Sequence, residues 1–185
     1  MTTLNAITSP APALVTTVDS TGNLVMQAVN SIQLQSGSNT ATMPAAAGTV
    51  MVSGNMPAFS AYSSSQSLTG GSLTKLACNT KDFDTNNCYD AITNYRFTPT
   101  VAGYYQMQGR IEVSTTNATL RLIPYKNGAA LLNALFSTYP SNFDTISAVY
   151  LVYCNGSTDY LEMYGQVGSS QNCYVGFQAF MVRAA

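Results

Sequence analysis

Hydrophobic and polar residues alternate along the C-terminal part of the chain. Over residues 103–113 apolar side chains occupy positions 105, 107, 111 and 113, while positions 106, 108, 110 and 112 are Gln, Gln, Arg and Glu. A period of two over this length predicts an antiparallel strand with one buried face. The same alternation recurs over residues 160–167 and 173–182, where it predicts two further half-buried strands.

Shorter runs rich in β-branched and aromatic residues predict additional strands at 57–62, 95–99, 119–126 and 147–153. Turn sequences separate the runs, among them Lys126-Asn127-Gly128 and Asn155-Gly156-Ser157. Seven or more strands with regular turns and no strong helical pattern predict an all-β fold, a sandwich or jelly roll.

The first 55 residues lack the longer alternating runs of the C-terminal part. They contain three prolines and only short apolar runs, each too short to bury a face alone. Such runs gain stability when identical copies pack around an axis, so an intertwined or β-helical stem and a plain mobile arm both stay open. We therefore predict two domains, an N-terminal stem or attachment region at 1–55 and a β-sandwich head at 56–185.

The low content of charged residues limits the kinds of molecule that we expect the protein to bind. Only 8% of the residues are charged, the formal net charge is −1, and the seven Lys and Arg are scattered singly. A nucleic-acid partner would need a basic stripe to replace phosphate counterions, so we expect none. There is no apolar stretch of about eighteen residues and no pattern typical of a signal peptide at the N-terminus, so we expect neither membrane insertion nor secretion.

The repertoire of ionisable residues argues against catalysis. The chain has no histidine, which excludes Ser-His-Asp, Cys-His and His-ligated metal sites. Paired carboxylates could still hydrolyse glycosides, but Glu112 and Glu162 are predicted on the outward faces of different strands. We predict that the protein is not an enzyme and has no catalytic or cofactor-binding residues.

One loop concentrates oxygen ligands. Asp82, Asp84 and Asp90 are weak candidates for calcium, although Asx-turns in a solvated loop explain them more simply. Cys78 and Cys88 bracket this loop and could close it in an oxidising medium, but the spacing of the four cysteines favours buried free thiols.

Five short motifs resemble the complement-one-q/tumour-necrosis-factor (C1q/TNF) jelly-roll superfamily. The strongest runs from Phe97-Thr98 through Gly103 to Tyr105 and is similar to the family's F-T-x-x-x-x-G-x-Y signature. The others are similar to its opening strand, the segment before the next strand, the "KNG" hairpin and the closing G-F strand, and lie at 57–62, 84–89, 122–128 and 175–180.

This resemblance covers about 125 residues and implies a ten-strand jelly roll that assembles as a homotrimer. Core or trimer-interface aromatics are then expected at Phe59, Tyr105, Phe177 and Phe180. Outward tyrosines are candidates for a trimer seam or a sugar-stacking surface, namely Tyr104, Tyr160 and Tyr164.

Residues 41–50, after 21–27, resemble the T-L-P-A-A-x-G-T-V segments that precede the terminal domains of bacteriophage tail fibres. This resemblance implies a virion protein, assembled in the host cytoplasm, whose stem binds other virion proteins and whose head contacts a host glycan or protein. A capsid head fibre or decoration protein with a purely structural role is the alternative. A secreted complement-like recognition protein is the second alternative.

Overall fold

In a computed structural model of the chain, the described residues are four short strands between residues 15 and 42, and the segments 56–114, 119–131 and 144–185. Every regular element in these residues is a β-strand. The described residues therefore contain no helix that is long and apolar enough to cross a membrane. The strands are β1 Val15–Val18, β2 Leu24–Gln27, β3 Gln33–Ser36, β4 Asn39–Thr42, β5 Ala58–Leu68, β6 Thr74–Lys75, β7 Thr80–Asp84, β8 Tyr89–Asp90, β9 Arg96–Phe97, β10 Ala102–Val113, β11 Leu120–Lys126, β12 Ala129–Ala130, β13 Asp144–Asn155, β14 Leu161–Val167 and β15 Gln171–Ala184.

The chain divides into two compact units, Met1–Ala47 and Gly48–Ala185. In the first unit β1 pairs with β2 and β3 pairs with β4, each as an antiparallel hairpin. The predicted stem at 1–55 includes residues outside those described, so its intertwined or β-helical form stays a prediction.

The second unit contains two antiparallel sheets. One sheet has the order β13-β10-β15-β5-β7, and the other has the order β12-β11-β14-β9-β8 with β6 also paired to β14. No two neighbours in the five-stranded sheet are consecutive along the chain, because the chain crosses between the sheets. This arrangement confirms the predicted jelly roll.

The predicted alternation positions the core. In β10 the odd residues from Gly103 to Val113 are buried, and in β15 the odd residues from Cys173 to Met181 face the same side. Phe59 lies at the centre, with its ring 4.3 Å from Tyr89, 4.8 Å from Phe97 and 4.9 Å from Phe177. Burial of these aromatic rings supplies much of the apolar area that stabilises the sandwich.

The alternation predicts that Glu162 is outward, which holds, but it does not predict that the residue is buried. Its side chain is on the outer side of β14, but the residue is only 4% exposed. The short strand β6 pairs along β14 through Lys75 and Tyr164, and the Lys75 Nζ donates a hydrogen bond to Glu162 Oε1. Lys75 on this neighbouring strand therefore covers a position that the period of two assigns to solvent.

The start of β5 and the end of β15 lie at one end of the sandwich, which we call the base. Ala58 pairs with Phe180 near the end of β15, and Gly103 pairs with Ala184. The β11–β12 turn lies here and follows the prediction, because Asn127 and Gly128 have φ values of 52° and 77°.

A polar network at the base joins this turn to the β13–β14 turn. Asp159 accepts hydrogen bonds from the Asn127 side-chain amide at 2.7 Å and the Asn155 backbone N–H at 2.9 Å, and its carboxylate lies 2.8 Å from Lys126 Nζ. The hydrogen bond from Lys126 is the main cause that lowers the pKa of Asp159. The network fixes two loops that are far apart in sequence.

Candidate functional site: the outward face of the five-stranded sheet

The outward face of the five-stranded sheet carries a group of exposed large apolar side chains near the base. This apolar patch consists of Tyr104 on β10, Val149, Leu151 and Tyr153 on β13, and Phe180 and Val182 on β15. In the pairing register Gln106 lies between Leu151 and Phe180, so one polar side chain separates these two members of the patch. Leu151 is 61% exposed and Phe180 is 44% exposed.

Few charges accompany the apolar patch. At the described outward positions of β10, β13 and β15 the charged residues are Arg110, Glu112 and Arg183. Arg110 and Glu112 form a long ion pair of 4.0 Å. The pair is on the same face as the patch but toward the end of the strands that is opposite the base. An exposed, largely apolar surface with so little charge is typical of a protein–protein contact.

A polar concavity adjoins the apolar patch on the same sheet. It has a volume of about 280 Å³ and lies above Gly176, and its walls include Ser60, Tyr62, Asp82, Gln108, Arg110, Tyr174 and Gln178. We call it the Gly176 cup. It exists because Gly176 presents no side chain at the middle of β15.

The walls of the Gly176 cup are held by contacts among themselves. The Tyr62 and Tyr174 rings stack with centroids 5.6 Å apart, and the Arg110 guanidinium lies 4.5 Å from the Tyr174 centroid. Gln178 Nε2 donates to Gln108 Oε1 at 2.8 Å. These side chains are therefore positioned before anything enters the cup.

The three carboxylates predicted as calcium ligands do not form one site. Asp82 accepts a hydrogen bond from Ser60 Oγ at 2.8 Å, and Asp84 accepts backbone N–H groups of Cys88 and Tyr89. Within the described segments no three His, Cys, Asp or Glu residues are grouped so that they could hold a metal ion. The calcium prediction required one oxygen cluster, whereas each carboxylate serves a different local contact.

Asp90 illustrates this local use. Its carboxylate accepts the backbone N–H groups of Ile92, Thr93 and Asn94, which close the turn after β8. These hydrogen bonds, led by that of Thr93, hold the pKa of Asp90 far below its ordinary value. The Asx-turn interpretation of this loop therefore describes Asp90 correctly.

All four cysteines are buried free thiols, as predicted, and Cys78 and Cys88 form no disulfide. Burial raises the pKa of Cys78 to about 12 and those of Cys154 and Cys173 to about 11. A thiol with so high a pKa is a poor nucleophile at neutral pH, so these cysteines are packing residues.

The aromatic residues named from the sequence divide between the core and two surfaces. Phe59, Tyr105 and Phe177 are core residues, whereas Phe180 is in the apolar patch. Of the three outward tyrosines, only Tyr104 is in the apolar patch, where its ring lies 5.6 Å from that of Tyr153.

The other two outward tyrosines do not contribute to the apolar patch. Tyr164 belongs to the other sheet and stacks on Tyr125 with centroids 4.1 Å apart. Tyr160 lies beneath the Arg96 guanidinium at 4.5 Å. The predicted tyrosine surface is therefore not one surface.

Sequence reasoning missed most of the apolar patch. Val149, Leu151 and Val182 are apolar residues at outward positions. A strict alternation of apolar and polar residues would place polar side chains there. The signal that could have identified them is an apolar residue on both faces of β13, which predicts a strand covered on both sides.

Comparison with known proteins supports the fold. No family model matches the chain, and no curated protein matches it. Among solved structures, the globular domain of the zebrafish complement 1qA protein is 20% identical, with a TM-score of 0.53 over 70% of this chain and 99% of that one.

Two further structures are similar. PRD1 vertex protein P5 is 18% identical, with a TM-score of 0.53 over 69% of this chain and 97% of that one. A tumour necrosis factor from S. frugiperda, Eiger, is 10% identical, with a TM-score of 0.50 over 70% of this chain and 93% of that one. The second unit therefore has a C1q/TNF-like jelly-roll fold.

Proposed function

We propose that the chain is a non-enzymatic structural protein of a virus particle, a homotrimeric bacteriophage fibre. Residues 1–55 attach it to the particle, and the head at 56–185 is exposed and contacts the host surface. The observation that carries this proposal is the exposed apolar patch, because a lone head would leave it in contact with water.

A second and a third copy of the chain are the partners that fit the apolar patch. Burying apolar surface contributes roughly 25 cal/mol per Å², so six large side chains covered together offset much of the entropy lost on association. The patch has no charged member that would need a partner of opposite sign. Three copies, rather than two, are proposed from the resemblance of the sequence motifs to the C1q/TNF superfamily.

The place in a virion is proposed from two likenesses. PRD1 vertex protein P5, named for a vertex, shares this fold over nearly its whole length. The complement 1qA domain shares it equally well, so the fold alone does not choose between a virion and a secreted protein. The resemblance of residues 41–50 to segments of phage fibres favours the virion.

The contacts of the carboxylate groups support the proposal that the protein is not an enzyme. Asp84, Asp90, Asp159 and Glu162 each bind a backbone N–H group or a cationic side chain, and these contacts stabilise loops or β14. The three similar structures named above are a complement, a tumour-necrosis-factor and a vertex protein.

Substitution in the apolar patch tests the assembly. Leu151→Asp and Phe180→Asp each place a charge in the proposed contact, and we expect native mass spectrometry to show their trimers lost at micromolar concentration. Ile92→Asp is the matched control, because Ile92 is 84% exposed on the turn after β8 and lies outside the patch. Trimers that survive both patch substitutions would contradict the proposed interface.

A capsid head fibre or decoration protein with a purely structural role is the second candidate, favoured by the likeness to a vertex protein. A glycan array probed with the intact full-length protein separates the two roles. The fibre proposal predicts glycan binding strengthened by avidity, whereas the decoration role predicts none. Binding that is abolished in the patch variants would show that avidity supplies it.

A further inference from the structure

A second concavity lies at the edge of the sandwich, where the chain passes from β7 in one sheet to β8 in the other. Its volume is about 400 Å³, which is within the range of about 300–1,000 Å³ typical of small-ligand sites. We call it the Arg96 pocket, and its walls include Lys81, Asn87, Ile92, Asn94, Arg96 and Thr98. None of these residues is in β10, β13 or β15, so the Arg96 pocket is separate from the apolar patch.

The Arg96 guanidinium is positioned by its neighbours without the use of its N–H groups. It lies 4.5 Å from the centroid of the Tyr160 ring. Tyr160 is itself fixed, because its backbone N–H donates to Asn127 Oδ1 at 2.9 Å and its carbonyl accepts from the Asn127 N–H at 3.0 Å. Within the segments that the structure describes, the guanidinium has no ion pair and no hydrogen bond. Its five N–H donors are therefore free to bind a ligand.

Asp90 does not neutralise this cation, although it lies opposite Arg96 in the pairing of β8 with β9. Its carboxylate accepts the backbone N–H groups of Ile92, Thr93 and Asn94 at 2.9, 3.0 and 3.1 Å, and the Asn94 side-chain amide at 2.7 Å. These hydrogen bonds engage both carboxylate oxygens within the turn. Since Arg96 is half-buried, its charge is partly withdrawn from water, and an anion that enters the pocket would supply the missing partner.

The backbone beside Arg96 is strained. Tyr95 has a φ of 49°, in the left-handed region that a bulky aromatic residue rarely adopts. Asn87, in the wall of the pocket, has a φ of 52°, which asparagine tolerates. Strain of this kind is concentrated at ligand sites, where the surrounding structure holds the backbone in the shape that the site requires. Tyr95 immediately precedes Arg96, so this conformation contributes to the placement of the guanidinium.

The other walls combine hydrogen-bonding groups with apolar surface. Lys81 supplies a second cation, whose side chain is 36% exposed and whose Nζ lies 3.2 Å from Asp84 Oδ2. Asp84 uses one of the three N–H donors of Lys81, which leaves two. Asn87 and Thr98 carry an amide and a hydroxyl group, and Ile92 is 84% exposed. A ligand that fits these walls carries a negative charge, several hydroxyl groups and an apolar face.

We infer that the Arg96 pocket binds an acidic sugar, with the sugar carboxylate on the Arg96 guanidinium. This inference rests on the proposed contact of the head with the host surface, and it names the chemistry of the host molecule. A guanidinium matches a planar carboxylate through two parallel N–H···O hydrogen bonds. Sugar hydroxyls suit the amide and hydroxyl groups of the walls, and the C–H face of the ring suits Ile92. Each copy of the chain supplies one pocket, so a trimer would bind a surface glycan with avidity.

Ligand-observed nuclear magnetic resonance with the full-length protein tests the inference. The probes are methyl glucuronide and methyl glucoside, which differ only by a carboxylate in place of a hydroxymethyl group. Because hydrogen bonds between charged groups are stronger than neutral ones, we expect the glucuronide to bind roughly tenfold more tightly. Equal affinities for the two sugars, or no binding of the glucuronide, would overturn the inference.

Arg96→Gln removes the guanidinium, and we expect it to abolish the preference for the glucuronide. Arg121→Gln is the matched control, because Arg121 is a half-buried arginine of the same sheet and lies outside the Arg96 pocket. We expect this control to keep the preference. Circular dichroism checks that both variants are folded. A preference that survives Arg96→Gln would contradict the assigned role of the guanidinium and overturn the inference.

Two substitutions at Ile92 give a second readout that leaves Arg96 on the Tyr160 ring. Ile92→Asp and Ile92→Asn differ by one charge in the wall of the pocket, and packing tolerates both because Ile92 is 84% exposed. We expect Ile92→Asp to bind the glucuronide roughly threefold more weakly than Ile92→Asn, and both to bind the glucoside equally. Equal binding of the glucuronide by the two variants would also overturn the inference.

The inference and the proposed host contact fail in different ways. If the glycan array shows that the intact protein binds neutral glycans alone, the inference fails and the host contact stands. If the array shows no binding at all, the host contact fails first.

Discussion

At the residue scale, several of the few charged side chains form ion pairs with specific partners. Lys75 and Glu162 are 87 positions apart, yet their ion pair joins β6 to β14, its neighbour in the sheet. The Glu162 side chain is 5% exposed and that of Lys75 is 31% exposed, so the pair is partly withdrawn from water. Removing one partner leaves the other charge poorly solvated.

A double-mutant cycle measures this pair. Because removal of one member of a fully buried pair costs about 3–5 kcal/mol, we expect Glu162→Gln and Lys75→Met, in this half-buried pair, to lower the free energy of unfolding by about 2 kcal/mol each. The double variant should cost clearly less than the two together. Urea unfolding at one fixed protein concentration supplies the values, and additive effects would contradict the coupling.

The Asp159 carboxylate makes stability depend on pH. Its folded pKa is lowered, chiefly by the hydrogen bond from Lys126, so its contribution is present above the unfolded pKa of about 3.9 and is lost as the pH falls through the lower folded pKa. We expect Asp159→Asn to destabilise the protein at pH 7 and to do so much less near pH 2. Chemical unfolding of both proteins at the two pH values tests this expectation, and an equal difference at both would contradict it.

At the element scale, alternation identified β10, β14 and β15 because one side of each strand must be apolar to bury the core. Turn residues identified the β11–β12 hairpin, since Asn127 and Gly128 tolerate positive φ. These features are local in sequence. They account for the fold class and for Phe59, Tyr105 and Phe177 in the core.

The candidate site depends on contacts that alternation does not encode. The apolar patch combines β13, β10 and β15, which are neighbours in the sheet but not in sequence. The burial of Glu162 depends on β6, a strand of two residues. The Gly176 cup depends on the absence of a side chain at Gly176. Whether the space above that residue is open can be known only from the positions of the surrounding side chains.

Two alanine substitutions test the contrast between core and surface glycines. Gly109→Ala forces Met163 to move, so we expect a loss of about 1–3 kcal/mol in the free energy of unfolding. Gly176→Ala meets no close atom, and we expect it to be neutral or to stabilise the fold by up to about 1 kcal/mol. Denaturant midpoints at one protein concentration supply the comparison, and equal losses would contradict the packing argument.

At the scale of the whole molecule, the head presents its apolar patch near the base, where Ala58 and Ala184 also lie. A trimer built through this face would bring the three bases together, and the opposite ends of the sandwiches would be free for a host contact. The low charge fits such an assembly, because copies with a net charge of −1 repel one another little.

Sedimentation equilibrium of the full-length protein tests the central claim most directly. The chain has a mass of 19.6 kDa, and three copies give about 59 kDa. We predict this trimer mass across the micromolar range, with no dimer at intermediate concentration. A mass of 19.6 kDa throughout that range would contradict the account, because the apolar patch would then remain exposed in the native protein.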